Sequence, residues 1–364
     1  MHSEMEKHWH EVAGHFDLAG KVKEITALDE GHIHESYIVR TESSTDYILQ
    51  KKNKYVFRNV PAMMDNISKV TRHLKKKITD AGGNPERETI TLVETKEGKL
   101  YYCDESEEYW AMCILIRDGI TYQKVESVQL AVSGGKSIGR FQSMLSDFDL
   151  PLVDILPGYH NMKFRFNQWD QALADDAASR KKDLSVEIGW IEDRRKGMLE
   201  FWDLIEKEHL PRRVAHNDTK ISNILFDRNQ EALCVIDLDT VLRSTVLNDF
   251  GDSIRTYTNT GLEDDTDLNK VTMDLNIYNA YCRGYLAGAK AFLSETELEN
   301  LAFSALYITF EQVLRFLMDY INNDKYYRIH YPEHNLVRTR AQYKLLLSME
   351  EQYETMKKII LEIR

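Results

Sequence analysis

A chain of 364 residues, 43% of them hydrophobic, can bury one large core or two medium ones, so folding does not depend on metal or disulfide staples. Its formal net charge of −12 is spread along the whole length, which argues against a surface built to neutralise nucleic-acid phosphates. The cysteines, Cys103, Cys113, Cys234 and Cys282, lie far apart with no CxxC pair, so neither a zinc site nor a disulfide framework is expected, and a reducing cytoplasm fits best.

In chain order, the N-terminal MHSEMEKHWHEV is polar where a signal peptide needs an apolar stretch, and no run reads as a membrane span, so neither secretion nor membrane insertion is expected. From Val22 to Trp110 the pattern is strand-like: VKEITAL, YIVRT, DYILQKK, ETITLVET, KLYYCD and YWAMCILI, broken by GHIHES, AGGNPE and KEG. These runs predict a small antiparallel sheet. One helix interrupts them, over roughly 61–78, with Pro61 at its start and Met64, Ile67, Val70 and Leu74 spaced to pack on the sheet. After a hinge near 115–119 the spacing predicts helices over roughly 126–146, 164–179, 185–207, 272–292, 295–322 and 335–363. A hairpin sits among them, ILFD and ALCVIDLD around the turn RNQE. Two lobes follow, 1–116 rich in β-structure and 117–364 mainly helical, an α+β organisation.

The chemistry gathers around that hairpin. His216-Asn217-Asp218-Thr219-Lys220-Ile221-Ser222-Asn223 precedes it and Asp237-Leu238-Asp239 ends it. Phosphoryl transfer needs a carboxylate to orient the attacking hydroxyl and hard oxygen ligands to hold Mg²⁺ against nucleotide phosphates. Asp218 suits the first task, Asn223 and Asp237 the second, and the Lys220 ammonium can stabilise charge on the transferring group. The D-x-K-x-x-N spacing matches the catalytic loop of protein kinases, which implies their bilobal fold, with ATP as co-substrate. The hinge residues Leu115 and Ile116 are then expected beside the nucleotide.

Two look-alikes are set aside. Asp249-Phe250-Gly251 spells DFG but lies thirty-one residues past Asp218, whereas Asp237 lies nineteen past it, so Asp249 is expected to accept backbone amides and stiffen the loop. Gly135-Lys136-Ser137 resembles the tail of a Walker A loop, but position 130 is Leu130 rather than glycine, so a helix start or bend is expected. The turn Gly31-His32-Ile33-His34-Glu35-Ser36 is the candidate phosphate lid, with Gly31 against the nucleotide. The slot for a phosphate-binding lysine reads Tyr47-Ile48-Leu49-Gln50; Lys52 shares the Gln50 face and can substitute, while Lys51 points away. The helix that follows shows Ser68 and Lys69 near its middle and no evident glutamate partner for that lysine. The basic run KKNK at 51–54 fits a solvated strand end as well as a phosphate contact.

These residues resemble the aminoglycoside phosphotransferase-like kinases, and within them the N-acetylhexosamine 1-kinases. The resemblance covers most of the chain and is strongest in HNDTKISNIL, VIDLDT, DFGDSIR, LEDDTDLNKV, RFLMDYIN and YPEHNLVRTR. It implies transfer of the ATP γ-phosphate, with Mg²⁺, to the anomeric hydroxyl of N-acetylglucosamine or N-acetylgalactosamine. Asp218 would be the base, Asn223 and Asp237 the metal ligands, and Asp239 and Thr240 part of the site wall, with sugar contacts from His32, Arg315 and Tyr326. Family members also carry glutamine at the position of Gln50. Thr256 departs from their phenylalanine, removing an aromatic face that sugars stack on. By spacing alone, Arg315 pairs equally well with Asp319 or Glu311 along its helix. Two other readings stay open: an amino-alcohol, homoserine or aminoglycoside kinase, which calls for an acidic acceptor pocket, and a nucleotide-binding pseudokinase, suggested by Gln50.

Overall fold

The computed structural model describes residues 2–28 and 33–364, with the backbone alone for 2–5. Helix α1 (His2–Ala13) opens the chain where no helix was expected. Its polar composition hides a narrow apolar face: Trp9, Val12 and Ala13, with Phe16 beyond the helix, pack against Tyr37, Val39, Leu49 and Trp110 of the sheet. That sheet runs β1 (Val22–Leu28), β2 (Glu35–Thr41), β3 (Tyr47–Lys52), β6 (Tyr109–Ile114) and β4 (Leu92–Val93), all neighbours antiparallel, with β5 (Tyr102–Cys103) also paired to β6. Period-two alternation sends Tyr47 and Leu49 into the α1 side and Ile48, Gln50 and Lys52 to the opposite face, where a cavity lies.

Helix α2 (Val60–Asp80) begins as expected, with Pro61 in its first turn and the Asn59 side chain accepting from the Ala62 amide at 3.1 Å. It does not simply cover the sheet. Met63, Val70, Leu74 and Ile78 join the larger core of the helical lobe, because α1 already covers one sheet face and the cavity separates α2 from the other. A short α3 (Pro85–Glu88) follows.

The rest is helical around two small strand pairs: α4 (Val128–Met144), α5 (Met162–Asp175), α6 (Ser185–Glu206), α7 (Val246–Tyr257), α8 (Leu275–Ala289), α9 (Glu295–Ile321), α10 (His334–Glu351) and α11 (Tyr353–Ile363). Strand β7 (Arg213–Ala215) pairs with β10 (Leu242–Ser244), and β8 (Ile224–Phe226) with β9 (Ala232–Val235), the latter being the expected hairpin. Neither α7 nor the β7–β10 pair was apparent in the sequence, and the helix expected over 335–363 is broken at Gln352.

Gly135-Lys136-Ser137 is neither a helix start nor a bend. It lies inside α4, and a Cβ on Gly135 would come within 2.4 Å of the Tyr281 carbonyl, so glycine there lets α4 and α8 cross backbone to backbone. One further expectation is corrected: α9 is long and apolar enough to cross a bilayer. Its apolar stretch is 78% buried within the protein, where it packs against α7 and α10.

Candidate active site

The loop carrying Asp218 is locked from three directions. His216, leaving β7, donates from Nε2 to the Ile236 carbonyl at 2.8 Å and accepts the Asp218 amide on Nδ1 at 3.3 Å, which fixes its tautomer and ties Asp218 to the end of β9. Asp249 on α7 accepts from the His216 and Asn217 amides at 3.0 and 2.6 Å and from Gln142 Nε2 at 2.8 Å. The DFG look-alike is thus a helical staple, and Gly251 belongs to packing: a Cβ there would meet the Ser304 carbonyl of α9 at 2.3 Å. His160 supplies the third hold. Its Nδ1 faces Glu311 Oε2 at 2.6 Å and its Nε2 faces the Asn217 carbonyl at 3.2 Å, so the buried ring bridges the loop to α9. Glu311 also receives Arg165 at 3.0 Å; burial alone would push its carboxyl up, but His160 and Arg165 hold it well below the usual range. Asn217 and Asp237, neither a glycine, adopt left-handed φ of 66° and 61°, backbone strain gathered at one site.

Within this frame Asp218 Oδ2 receives Lys220 Nζ at 3.0 Å and Asn223 Nδ2 at 3.0 Å. Burial pushes the carboxyl up, yet the Lys220 ammonium and the other donors bring it below its ordinary value of 3.8, leaving an ionised acceptor. Asn223 and Asp237 face a cavity of about 360 Å³ between the lobes, which Ile48, Gln50, Lys52, Leu115 and Ile116 also line. The Asn223 amide nitrogen is committed to Asp218, so its oxygen remains for another partner. Asp237 makes no hydrogen bond or ion pair with any described residue, and burial together with the Asp239 and Asp218 carboxylates raises its pKa. A carboxylate without a hydrogen bond or ion pair among the described residues and an amide oxygen facing one cavity suit a hard cation. Among the described residues no cluster of three or more His, Cys, Asp or Glu side chains could chelate one, so phosphate oxygens and water would complete its shell.

Lys52 is buried in the same cavity. Its ammonium contacts Asp239 Oδ1 and Oδ2 at 3.0 and 2.8 Å and Gln50 Oε1 at 2.8 Å, while Lys51 sits on the other face with Glu35. The carboxylate partner missing from α2 therefore comes from the opposite lobe, two residues after Asp237. His34 joins it, donating to Asp239 from Nε2 while Nδ1 accepts the Asn53 amide at 3.0 Å. Burial would push the Asp239 carboxyl up, but Lys52 and His34 hold it well below the carboxylate range. Asp239 thus lies on the wall of that cavity with Lys52. Sequence reasoning singled out His32 and missed His34, although alternate residues of GHIHES share a face; His32 and Gly31 themselves lie outside the described residues. Thr240 is buried, its hydroxyl donating to the His216 carbonyl at 2.6 Å.

Arg315 approaches the loop through Tyr159. Both carboxylates within helical reach are engaged elsewhere, Glu311 by His160 and Arg165, and Asp319 by the amides of Lys325, Tyr326 and Tyr327 and by Asn335. Arg315 meets no carboxylate in an ion pair among the described residues. Its guanidinium lies 5.4, 5.5 and 5.9 Å from the ring centres of Tyr327, Tyr326 and Tyr159. Tyr159 links this group to the loop, its hydroxyl donating to the Asn217 carbonyl at 3.4 Å and lying within electrostatic reach of Arg315, Asp218 and Asp252. Arg255, by contrast, is neutralised by Asp252 at 3.0 Å and Glu263 at 2.9 Å.

An antiparallel sheet over a helical lobe, with a D-x-K-x-x-N loop facing the cleft between them, defines a kinase-like phosphotransferase fold. Residues 24–292 match the APH family model, described as "Phosphotransferase enzyme family", and the chain belongs to that family. Similar folds include a microcompartment-associated aminopropanol kinase (TM-score 0.65, 12% identity, 96% of this chain and 98% of that one covered). A spectinomycin phosphotransferase solved with ADP and spectinomycin is another (0.58, 14%, 96% and 98%). A third is an aminoglycoside phosphotransferase from Alicyclobacillus acidocaldarius (0.59, 12%, 95% and 96%). At these identities the likeness shows the shared fold.

Proposed function

We propose that the protein transfers the γ-phosphoryl group of ATP, with Mg²⁺, to a hydroxyl of a neutral, polyhydroxylated small molecule, most specifically the anomeric hydroxyl of an N-acetylhexosamine. Asp218 orients the acceptor hydroxyl and takes its proton. Lys220, held by Asp218, stabilises charge on the group in transit, and Lys52 reaches the nucleotide phosphates by exchanging its Asp239 contact for them. Asn223 and Asp237 would hold Mg²⁺, which when bound neutralises the phosphates and orients them for in-line transfer. Leu115 and Ile116 border the nucleotide. Asp239 and Thr240 shape the floor between the two ligands.

The observation that carries the acceptor class is the charge of Arg315. A cationic aminoglycoside or amino alcohol needs an open carboxylate near Asp218, yet Asp252, Glu263 and Glu311 are each already paired with cations. Arg315 offers planar donors to hydroxyls or an amide carbonyl, and Tyr326 and Tyr159 offer ring faces, a substitute for the aromatic residue absent at Thr256. The folds of aminopropanol and spectinomycin kinases favour the cationic reading, so the deciding experiment sets them side by side. Purified protein is incubated with ATP and Mg²⁺ and a panel of N-acetylhexosamines, aminopropanol, homoserine and aminoglycosides, and ADP release is read. Turnover with N-acetylglucosamine or N-acetylgalactosamine is the expected result. Turnover of an amine without either sugar overturns the acceptor assignment, and nucleotide binding with no turnover on any acceptor would make the protein a pseudokinase.

A further inference from the structure

The peptide linking Asn217 to Asp218 is gripped at both ends. Its N–H, that of Asp218, donates to His216 Nδ1 at 3.3 Å, and its carbonyl, that of Asn217, accepts from His160 Nε2 at 3.2 Å and from the Tyr159 hydroxyl at 3.4 Å. A peptide is planar, so a bond at each end leaves this unit little freedom to turn. Turning it is the motion that would swing the Asp218 carboxylate away from an acceptor hydroxyl. His216 belongs to the same loop, but His160 comes from a turn 57 positions before Asn217.

That turn is tied to one stripe of α9. The Tyr307 hydroxyl donates to the His160 carbonyl at 2.9 Å, Glu311 Oε2 lies 2.6 Å from His160 Nδ1, and the Arg315 guanidinium lies 5.9 Å from the centre of the Tyr159 ring. Tyr307, Glu311 and Arg315 are spaced four apart, so they stand one above another on a single helix face. The same face thus carries the guanidinium proposed for the acceptor and the anchor of the loop that holds the base.

The arrangement is expensive for an element that only fills the core. His160 and Asn217 adopt left-handed φ of 53° and 66° without being glycine, and His160 and Glu311 are only 5% and 1% exposed. Buried polar pairs add little net stability over apolar packing of similar volume, and strained backbone gathers where a geometry has to be fixed.

We propose that Tyr159 and His160 are positioning residues for phosphoryl transfer. They hold the Asn217 carbonyl from α9, and so set Asp218 at a fixed place relative to Arg315. The inference rests on Asp218 being the base, whichever hydroxyl it serves.

The test compares kcat, KM, ADP affinity and Tm for Tyr159→Phe, His160→Ala, Asp218→Asn and the doubly substituted His160→Ala/Asp218→Asn protein. Turnover is read with the acceptor that the panel identifies or, where it identifies none, as ATP hydrolysis by water. His160→Ala should lower kcat about ten- to a hundredfold, the scale of a small misplacement of a reacting group, with ADP affinity unchanged. Added imidazole should restore part of that kcat saturably. Tyr159→Phe keeps the ring and should cost about two- to tenfold, the loss of one neutral hydrogen bond. In the Asp218→Asn background His160→Ala should cost nothing further, because a residue that acts through the base has no effect once the base is gone. A lower Tm with kcat intact, or equal losses with and without the Asp218 carboxylate, overturns the proposal. If His160→Ala folds poorly, Tyr159→Phe is put through the same cycle and decides by the same criterion. Asp218→Asn is read first, and normal turnover there is the failure of the proposed reaction; a dead Asp218→Asn beside an unaffected His160→Ala is the failure of this inference alone.

Discussion

The sides of Asp218 proposed for the nucleotide and for the acceptor solve the problem of buried charge in different ways. On the nucleotide side the compensation crosses the lobes, Lys52 and His34 reaching from the sheet to Asp239, and one carboxylate, Asp237, is left unmatched. On the side proposed for the acceptor, compensation stays within the helical lobe: Arg255, His160 and Arg165 have their acids, and Arg315 lies among tyrosine rings with no ion pair among the described residues. In the proposed arrangement a carboxylate without an ion pair meets one ligand and a guanidinium without one meets the other, which would tell the two halves of the cleft apart before either is bound.

The sharpest way to break this contrast is at its centre. Asp218→Asn should lower kcat by about 10²- to 10⁴-fold while ADP affinity, measured by titration, stays within a few-fold; near-normal turnover removes Asp218 from the chemistry. On the nucleotide side, Asp237→Ala should abolish activity or sharply raise the Mg²⁺ needed for half-maximal turnover. The same change should leave the metal-free Tm unchanged or higher at neutral pH, because a carboxyl whose pKa is raised by folding weakens the fold once ionised. Asp249→Ala should do the reverse, costing about 3 kcal/mol in denaturant unfolding by orphaning buried amides. If the Asp249 variant folds normally but loses metal dependence, the two aspartates have been assigned the wrong way round.

Arg315→Ala tests the acceptor side. A charge-assisted hydrogen bond to a buried neutral partner is worth roughly 1.5 to 3 kcal/mol, so kcat/KM for the sugar should fall about ten- to a hundredfold with KM for ATP nearly constant. Unchanged sugar kinetics in the folded variant would confine Arg315 to packing. The mildest expected effect is on acid stability. The Asp239 carboxyl titrates below its ordinary 3.8 in the folded protein, so its contribution is complete above that value and is lost as pH falls through the folded pKa. Glu311 behaves alike, from an ordinary value of 4.5. Tm should therefore be nearly flat from about pH 7 to 5 and drop in stronger acid, and Lys52→Met should lower the plateau and shallow the drop. A steep loss of Tm between pH 7 and 5 would show that other groups dominate.

The sequence by itself determined what depends on neighbours along the chain. The Asp218, Lys220, Asn223 and Asp237 spacing, the strand face shared by Gln50 and Lys52, and the distinction between Asp237 and Asp249 follow from local geometry, and the structure brings these residues together as that spacing requires. The sheet and the long helices were legible for the same reason, since periodicities of two and 3.6 are written into adjacent residues. Helices α1 and α7 were not, because one is polar by composition and the other reads as a motif rather than as a repeat. Only the tertiary structure decided where charges end up. Lys52 finds Asp239 at 187 positions' remove and His160 finds Glu311 at 151, and no local pattern could announce either pair. That Arg315 forms no ion pair among the described residues depends on two such distant partners, His160 and Arg165, taking Glu311, and on the nearer turn whose amides occupy Asp319.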